Sequence, residues 1–165
     1  MNDLTEFCMT IAHAKNVKGI ESASCNAIKF DDGDGFVKSL TTNYAQEHKV
    51  DYIEIVEQGA ILIELKDIKS KVNYLLTKKK AKEEIQESLL SNLENKFTRS
   101  LGIIQREINP NLVSIINYLV VANGTESTIL DKYLPENLKK EPFVICKTDE
   151  ICNKLSTLTT RICQE

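Results

Sequence analysis

The stretch from Val50 to Asp67 limits what this chain can fold into more than any other. It reads as two short strands rich in Ile, Val and Leu, residue types that suit a pleated, half-buried surface. The strands meet at Gln58-Gly59, where glycine supplies the positive φ that a tight turn needs. With Gln58 and Gly59 as the turn residues, Glu57 faces Ala60, Ile53 faces Glu64 and Asp51 faces Lys66. Side chains alternate along a strand, and directly opposed residues share a face. Asp51, Glu64 and Lys66 therefore fall together on one face, with Ile61, Ile63 and Leu65 on the other. A three-residue turn with a bulge breaks this register.

Two carboxylates and a lysine on one sheet face have a definite chemistry. Mg²⁺ is held by one or two carboxylates together with waters and phosphate oxygens. Asp51 and Glu64 are the candidate metal ligands, and the carbonyl of Leu65, between Glu64 and Lys66, is a further one. Such an ion lowers the pKa of a bound water and neutralises phosphodiester charge. Lys66 is placed to stabilise the negative charge that develops.

The rest of the chain alternates helical and extended patterns. Leu4, Cys8 and Ile11 recur at helical spacing and predict a helix over 2–15, with Asp3 as cap. Residues 23–30 read as a strand. Asp31 to Gly35 is an acidic turn. Counted from Asp32 as a calcium loop, it puts Phe36 and Asn43 where position five wants oxygen and position twelve wants Glu. Phe36, Leu40 and Tyr44 predict a helix over 36–48. A long helix follows over 81–108, from Ile85, Leu89, Leu93, Phe97 and Ile104, stopped at Asn109-Pro110. Residues 113–122 are nearly all apolar and predict a strand buried on both faces. A short helix over Ser127–Tyr133, a strand over Phe143–Cys146 and a helix from Thr148 to about Cys163 complete the order. At 165 residues this is one α/β domain, a mixed central sheet with helices on both faces.

Seven lysines, at 66, 69, 71, 78, 79, 80 and 82, stand against one acid, Asp67, between Lys66 and Lys82. The net charge of −3 excludes a general attraction to nucleic acid, so binding needs a local patch of this kind. Lys69, Lys71, Lys78, Lys79, Lys80 and Lys82 are the candidate phosphate contacts, against the plainer reading of a solvated charge run. The five cysteines, at 8, 25, 146, 152 and 163, form no C-x-x-C pair, which argues against zinc. They read as buried, reduced thiols, with Cys146 and Cys152 near enough in sequence to approach each other. Residues 1–10 lack the basic start and apolar run of a secretory signal, and nothing spans a membrane, so the expected location is cytoplasmic.

Asp51, twelve intervening residues, then Glu64-Leu65-Lys66 at the end of an apolar strand resembles the PD-(D/E)xK phosphodiesterases, the restriction-endonuclease-like superfamily. That family places an acid on one strand and acid-x-lysine on the next, followed by a helix and another buried strand. The resemblance covers about residues 23–147. It implies a restriction-endonuclease-like fold and Mg²⁺- or Mn²⁺-dependent cleavage of DNA or RNA, as an endonuclease or exonuclease. Asp51 and Glu64 are then metal ligands and Lys66 the catalytic lysine. This sequence departs from the pattern in having Val50 before Asp51, and helix 36–48 interrupts the strands. A third acid from Glu21 or Glu47 matches no motif.

The competing expectation is a non-catalytic partner-binding protein, such as an immunity or inhibitor protein or an accessory subunit. An acidic surface at Asp31, Asp32 and Asp34, or at Glu54 and Glu57, would meet a basic partner. A homodimer is a further candidate assembly. No Gly-rich phosphate loop, G-x-S-x-G or H-E-x-x-H is present, and two histidines leave little for histidine-based chemistry.

Overall fold

A computed structural model of the chain describes residues 3–14, 21–158 and 160–164. Six strands form one sheet in the order of the sequence. They are β1 (Cys8–Ala12), β2 (Ser22–Lys29), β3 (Tyr52–Val56), β4 (Gly59–Lys66), β5 (Ser114–Val121) and β6 (Phe143–Lys147). Neighbours are antiparallel from β1 to β4 and parallel from β4 to β6. Parallel neighbours need a long crossover, and helices supply it. Helices α1 (Ile68–Thr77) and α2 (Lys82–Glu107) join β4 to β5, α3 (Ser127–Tyr133) joins β5 to β6, and α4 (Thr148–Ser156) follows β6.

Alternation along the strands divides the core. On one face Ile53 and Leu62 pack against Phe97, Ile103 and Ile104 of α2. Beside them Leu119 and Val121 meet Val72, Leu89, Leu93 and Tyr133 from α1, α2 and α3. On the other face Ile61, Ile63, Tyr118 and Val120 pack on Ile151 and Leu155 of α4. The mixed sheet with helices on both faces is therefore present as the sequence predicts. So are the long helix, the strand after it and the short helix at Ser127.

The β3–β4 register differs from the expectation by two positions. Val56 pairs with Gly59, Ile55 with Ala60 and Tyr52 with Ile63, so Glu57 and Gln58 form the turn. A slip of two leaves every side chain on its expected face, because the pleat repeats every second residue. It does change partners: one step beyond Tyr52–Ile63, Asp51 comes level with Glu64 instead of Lys66. Gly59 carries φ +153°, and a Cβ there would lie 2.5 Å from the Val113 carbonyl oxygen. That same oxygen accepts from the Ala60 N–H at 2.9 Å. Gly59→Ala is expected to cost about 1–3 kcal/mol, seen as a lower urea midpoint at unchanged slope.

Three helix expectations are corrected. Residues 2–15, so far as they are described, hold one 3-10 turn, Leu4–Phe7, and then β1. Helical and extended spacings are hard to separate over so short a segment, and pairing with β2 decides the case. Residues 36–48 hold only a 3-10 turn at Val37–Ser39. Ser39, Thr41, Thr42 and Asn43 are poor helix formers, residue types whose side chains compete with the helix for nearby backbone groups. The Ser39 hydroxyl donates to the Phe36 carbonyl at 2.6 Å, and Asn43 Oδ1 accepts from the Ala45 N–H at 2.9 Å. Phe36 and Tyr44 are nonetheless buried, from loop positions. The last helix ends at Ser156, short of Cys163.

The reduced-thiol expectation is also corrected. Cys8 is bonded to Cys163 and Cys25 to Cys152, across 155 and 127 residues. Cys146 stays free and buried, and burial pushes its thiol up to about 12, an unreactive group. Disulfides belong with oxidising compartments, so the thiols no longer argue for the cytoplasm. No described helix is long and apolar enough to cross a membrane. Thiol titration in denaturant without reductant should find one group per chain, and five after reduction. Reduction should also lower stability by about 2–5 kcal/mol, because each bridge closes a long loop in the unfolded chain.

Candidate functional site

Side chains at the end of β4 meet those at the start of β3 and the end of β5 in a cleft of about 540 Å³. Open α/β sheets characteristically bind ligands at the carboxyl ends of their parallel strands. Asp51, Glu64, Leu65 and Lys66 all line this cleft, with Asp67, Ser70, Lys71 and Tyr74 from the α1 side. Lys96 of α2, His13 and Glu21 complete the walls. Asp67 turns the chain from β4 into α1 by capping it: its carboxylate accepts from the Ser70 N–H at 3.1 Å and the Ser70 hydroxyl at 2.7 Å.

Glu64 stands in a strand that is buried along almost its whole length and is itself 1% exposed. Its Oε1 accepts from Lys96 Nζ at 2.6 Å, while its Oε2 is buried with no hydrogen-bond partner. Burial, with the Asp51 charge close by, raises the carboxyl to about 8, against the pull of Lys96. Asp51 Oδ2 accepts from the Leu65 N–H at 2.9 Å, which pins it beside the β4 backbone next to Glu64. Burial raises Asp51 as well, opposed by that hydrogen bond and by Lys96. Lys66 is shifted the other way, lowered by burial and then by Lys96. It forms no ion pair among the described residues, so an Asp51–Lys66 cross-strand bridge is absent.

The three residues singled out from the sequence thus converge, together with Leu65. The lysines divide. Lys71 lines the cleft, whereas Lys78, Lys79, Lys80 and Lys82 lie beyond it, on the turn after α1 and the start of α2. Lys69 pairs with Glu126 at 2.7 Å, and Lys80 with Glu84 at 3.8 Å. Glu21 also lines the cleft, while Glu47 pairs with Arg99 at 3.5 Å away from it. Glu54, expected on an acidic surface, is fully buried and pairs with Arg161 at 3.2 Å.

Two features escaped the sequence reading. Lys96 follows Leu93 by three on α2, at the edge of the apolar stripe, which is the one signal that its ammonium faces the sheet. His13 and Glu21 share Thr148: His13 Nε2 lies 2.9 Å from the Thr148 hydroxyl, which donates to Glu21 Oε1. Burial lowers His13, opposed by Glu21. This group braces the wall of the cleft where β6 enters α4.

The oxygen donors suit a small hard cation. Glu64, with its Oε2 unpartnered, and Asp51 both line the cleft, a two-carboxylate set of the kind Mg²⁺ accepts with waters and phosphate oxygens. Among the described residues no group of three or more His, Cys, Asp or Glu is placed to hold an ion. No family model, curated protein or solved structure matches this chain.

Proposed function

We propose that the chain is a metal-dependent phosphodiesterase of the PD-(D/E)xK type, cleaving DNA or RNA at this cleft. One observation carries the reading: Asp51, Glu64 and Lys66 gather in one concave site at the end of β4. The absence of an α-helix between β2 and β3 adds support, since β2, β3 and β4 are antiparallel neighbours that precede α1 with only the 3-10 turn at Val37–Ser39 among them.

In this reading Asp51 and Glu64 Oε2, with the Leu65 carbonyl as a further ligand, hold a Mg²⁺ or Mn²⁺ ion. The bound ion supplies Lewis acidity and counter-charge to the phosphate. Lys96 fixes the Glu64 carboxylate through Oε1 and leaves Oε2 without a hydrogen-bond partner. The Leu65 N–H orients Asp51. Lys66, partly desolvated and without an ion pair among the described residues, neutralises charge on the scissile group, and Lys71 meets a phosphate at the lip.

The 2.6 Å Lys96–Glu64 pair favours one second reading. In it the chain keeps the fold without cleavage, its carboxylate satisfied from within, and serves a partner protein. Titration calorimetry with Mn²⁺ alone, beside a cleavage assay on mixed DNA and RNA, separates the two. Binding that Asp51→Asn abolishes, together with cleavage, supports the nuclease. Neither binding nor cleavage overturns it in favour of the second reading.

A further inference from the structure

We propose that Tyr74, at the lip of the cleft, is a stacking platform for an unpaired base, and that the nucleic acid admitted here is single-stranded. The inference rests on the nuclease reading for what lies at the cleft floor, and adds to it the form of the substrate.

Helix α1 starts at the cleft, and Ser70, Lys71 and Tyr74 line it at successive helical positions. Tyr74 is 53% exposed, although it borders the same cleft as the buried Glu64. Its hydroxyl makes no hydrogen bond among the described residues. Two ammonium groups attend the ring: Lys71 Nζ and Lys78 Nζ each lie 5.6 Å from its centroid. An exposed aromatic ring flanked by cations is the arrangement that holds an unpaired nucleotide, the ring taking the base and the lysines the phosphates on either side. In a chain of net charge −3, these lysines belong to the segment with the strongest local excess of positive charge.

The depth of the site selects the form. Glu64 is only 1% exposed and lines the same cleft as the exposed Tyr74, so a phosphate has to leave the surface to reach it. A single strand bends at its backbone and presents bases with free faces. In a duplex the bases are stacked on each other and each phosphate is held on a convex rod. Tyr74 therefore meets a base only where pairing has been lost.

The test is fluorescence anisotropy with labelled dT12, rU12 and a matched DNA duplex, on the full chain in EDTA at low salt. The wild type should bind the single strands more tightly than the duplex. Tyr74→Ala should weaken single-strand binding by about five- to a hundredfold and leave duplex binding within twofold. Tyr74→Phe should retain wild-type affinity, because the ring and not the hydroxyl acts. Lys78→Ala should weaken both and lower the salt slope by about one. The dT12 and rU12 arms show whether DNA or RNA is preferred. Equal affinity of Tyr74→Ala and wild type for dT12 and rU12, or no binding by the wild type, overturns the inference. Cleavage lost in Asp51→Asn with Tyr74→Ala binding normally sinks the platform alone. Tyr74-dependent binding with no cleavage in Mg²⁺ or Mn²⁺ sinks the nuclease reading alone.

Discussion

Glu64→Gln and Asp51→Asn are each expected to reduce metal-dependent cleavage by at least about a hundredfold while leaving the circular dichroism spectrum unchanged. Both substitutions keep shape and remove a carboxyl that can ionise. Glutamine still accepts from Lys96, and asparagine still accepts from the Leu65 N–H, so the scaffold around them is preserved. Lys66→Met should act on turnover more than on Mn²⁺ affinity, since in the proposed reading the lysine serves the phosphate and not the cation. Retention of full activity by Glu64→Gln would remove the site from consideration.

The same carboxyl sets a pH dependence. Burial raises Glu64 from 4.5 to about 8, so near neutrality the folded chain keeps a proton that the unfolded chain has released. Its stabilising contribution is complete below 4.5 and is lost as pH rises through about 8. A cation needs the ionised form, so the sign for binding is opposite. Mn²⁺ affinity should climb as pH increases toward about 8 and level off above it. Calorimetry at several pH values reads both the affinity and the proton release. A flat profile would show that Glu64 is not the group displaced.

The largest loss of stability is expected in the middle of β3. Glu54 is fully buried and accepts from Arg161 Nη1 at 3.2 Å and from the Ile162 N–H at 2.8 Å, with Cys163 N–H also in reach. Arg161 has a second partner in the Asn26 carbonyl at 3.0 Å. This carboxylate ties the C-terminal segment to the centre of the sheet, next to the Cys8–Cys163 bond. Removing one partner leaves the other charged and desolvated, so Glu54→Ala should cost about 3–5 kcal/mol in urea unfolding. Arg161→Met should do nearly the same. The double variant Glu54→Met/Arg161→Met should lose clearly less than the sum, because neither charge is then stranded. Strict additivity would mean that the pair is not coupled.

The strand pair 50–67 was legible because its information is local. Ile, Val and Leu at alternate positions define two faces, and a two-residue error in the turn leaves those faces intact. Asp51, Glu64 and Lys66 could therefore be grouped before their partners were known. The stripe from Ile85 to Ile104 declares α2 in the same way, by a period that neighbours along the chain impose. The failures share the opposite character. Leu4, Cys8 and Ile11 fit a helix until β2 is alongside, and Phe36 and Tyr44 are buried by loops whose Ser, Thr and Asn side chains undo the helical spacing. Lys96 reaches Glu64 across 32 residues, Arg161 reaches Glu54 across 107, and Cys8 meets Cys163 across 155. Spacing along the chain carries no trace of such meetings. Backbone periodicity and turn chemistry are properties of a few adjacent residues, so the chain alone settles the β3–β4 pair, its long helix and the shared face of its acids. Charge pairing, disulfide pairing and the depth at which Glu64 lies depend on desolvation by distant segments, and those exist only once the sheet has closed against its helices.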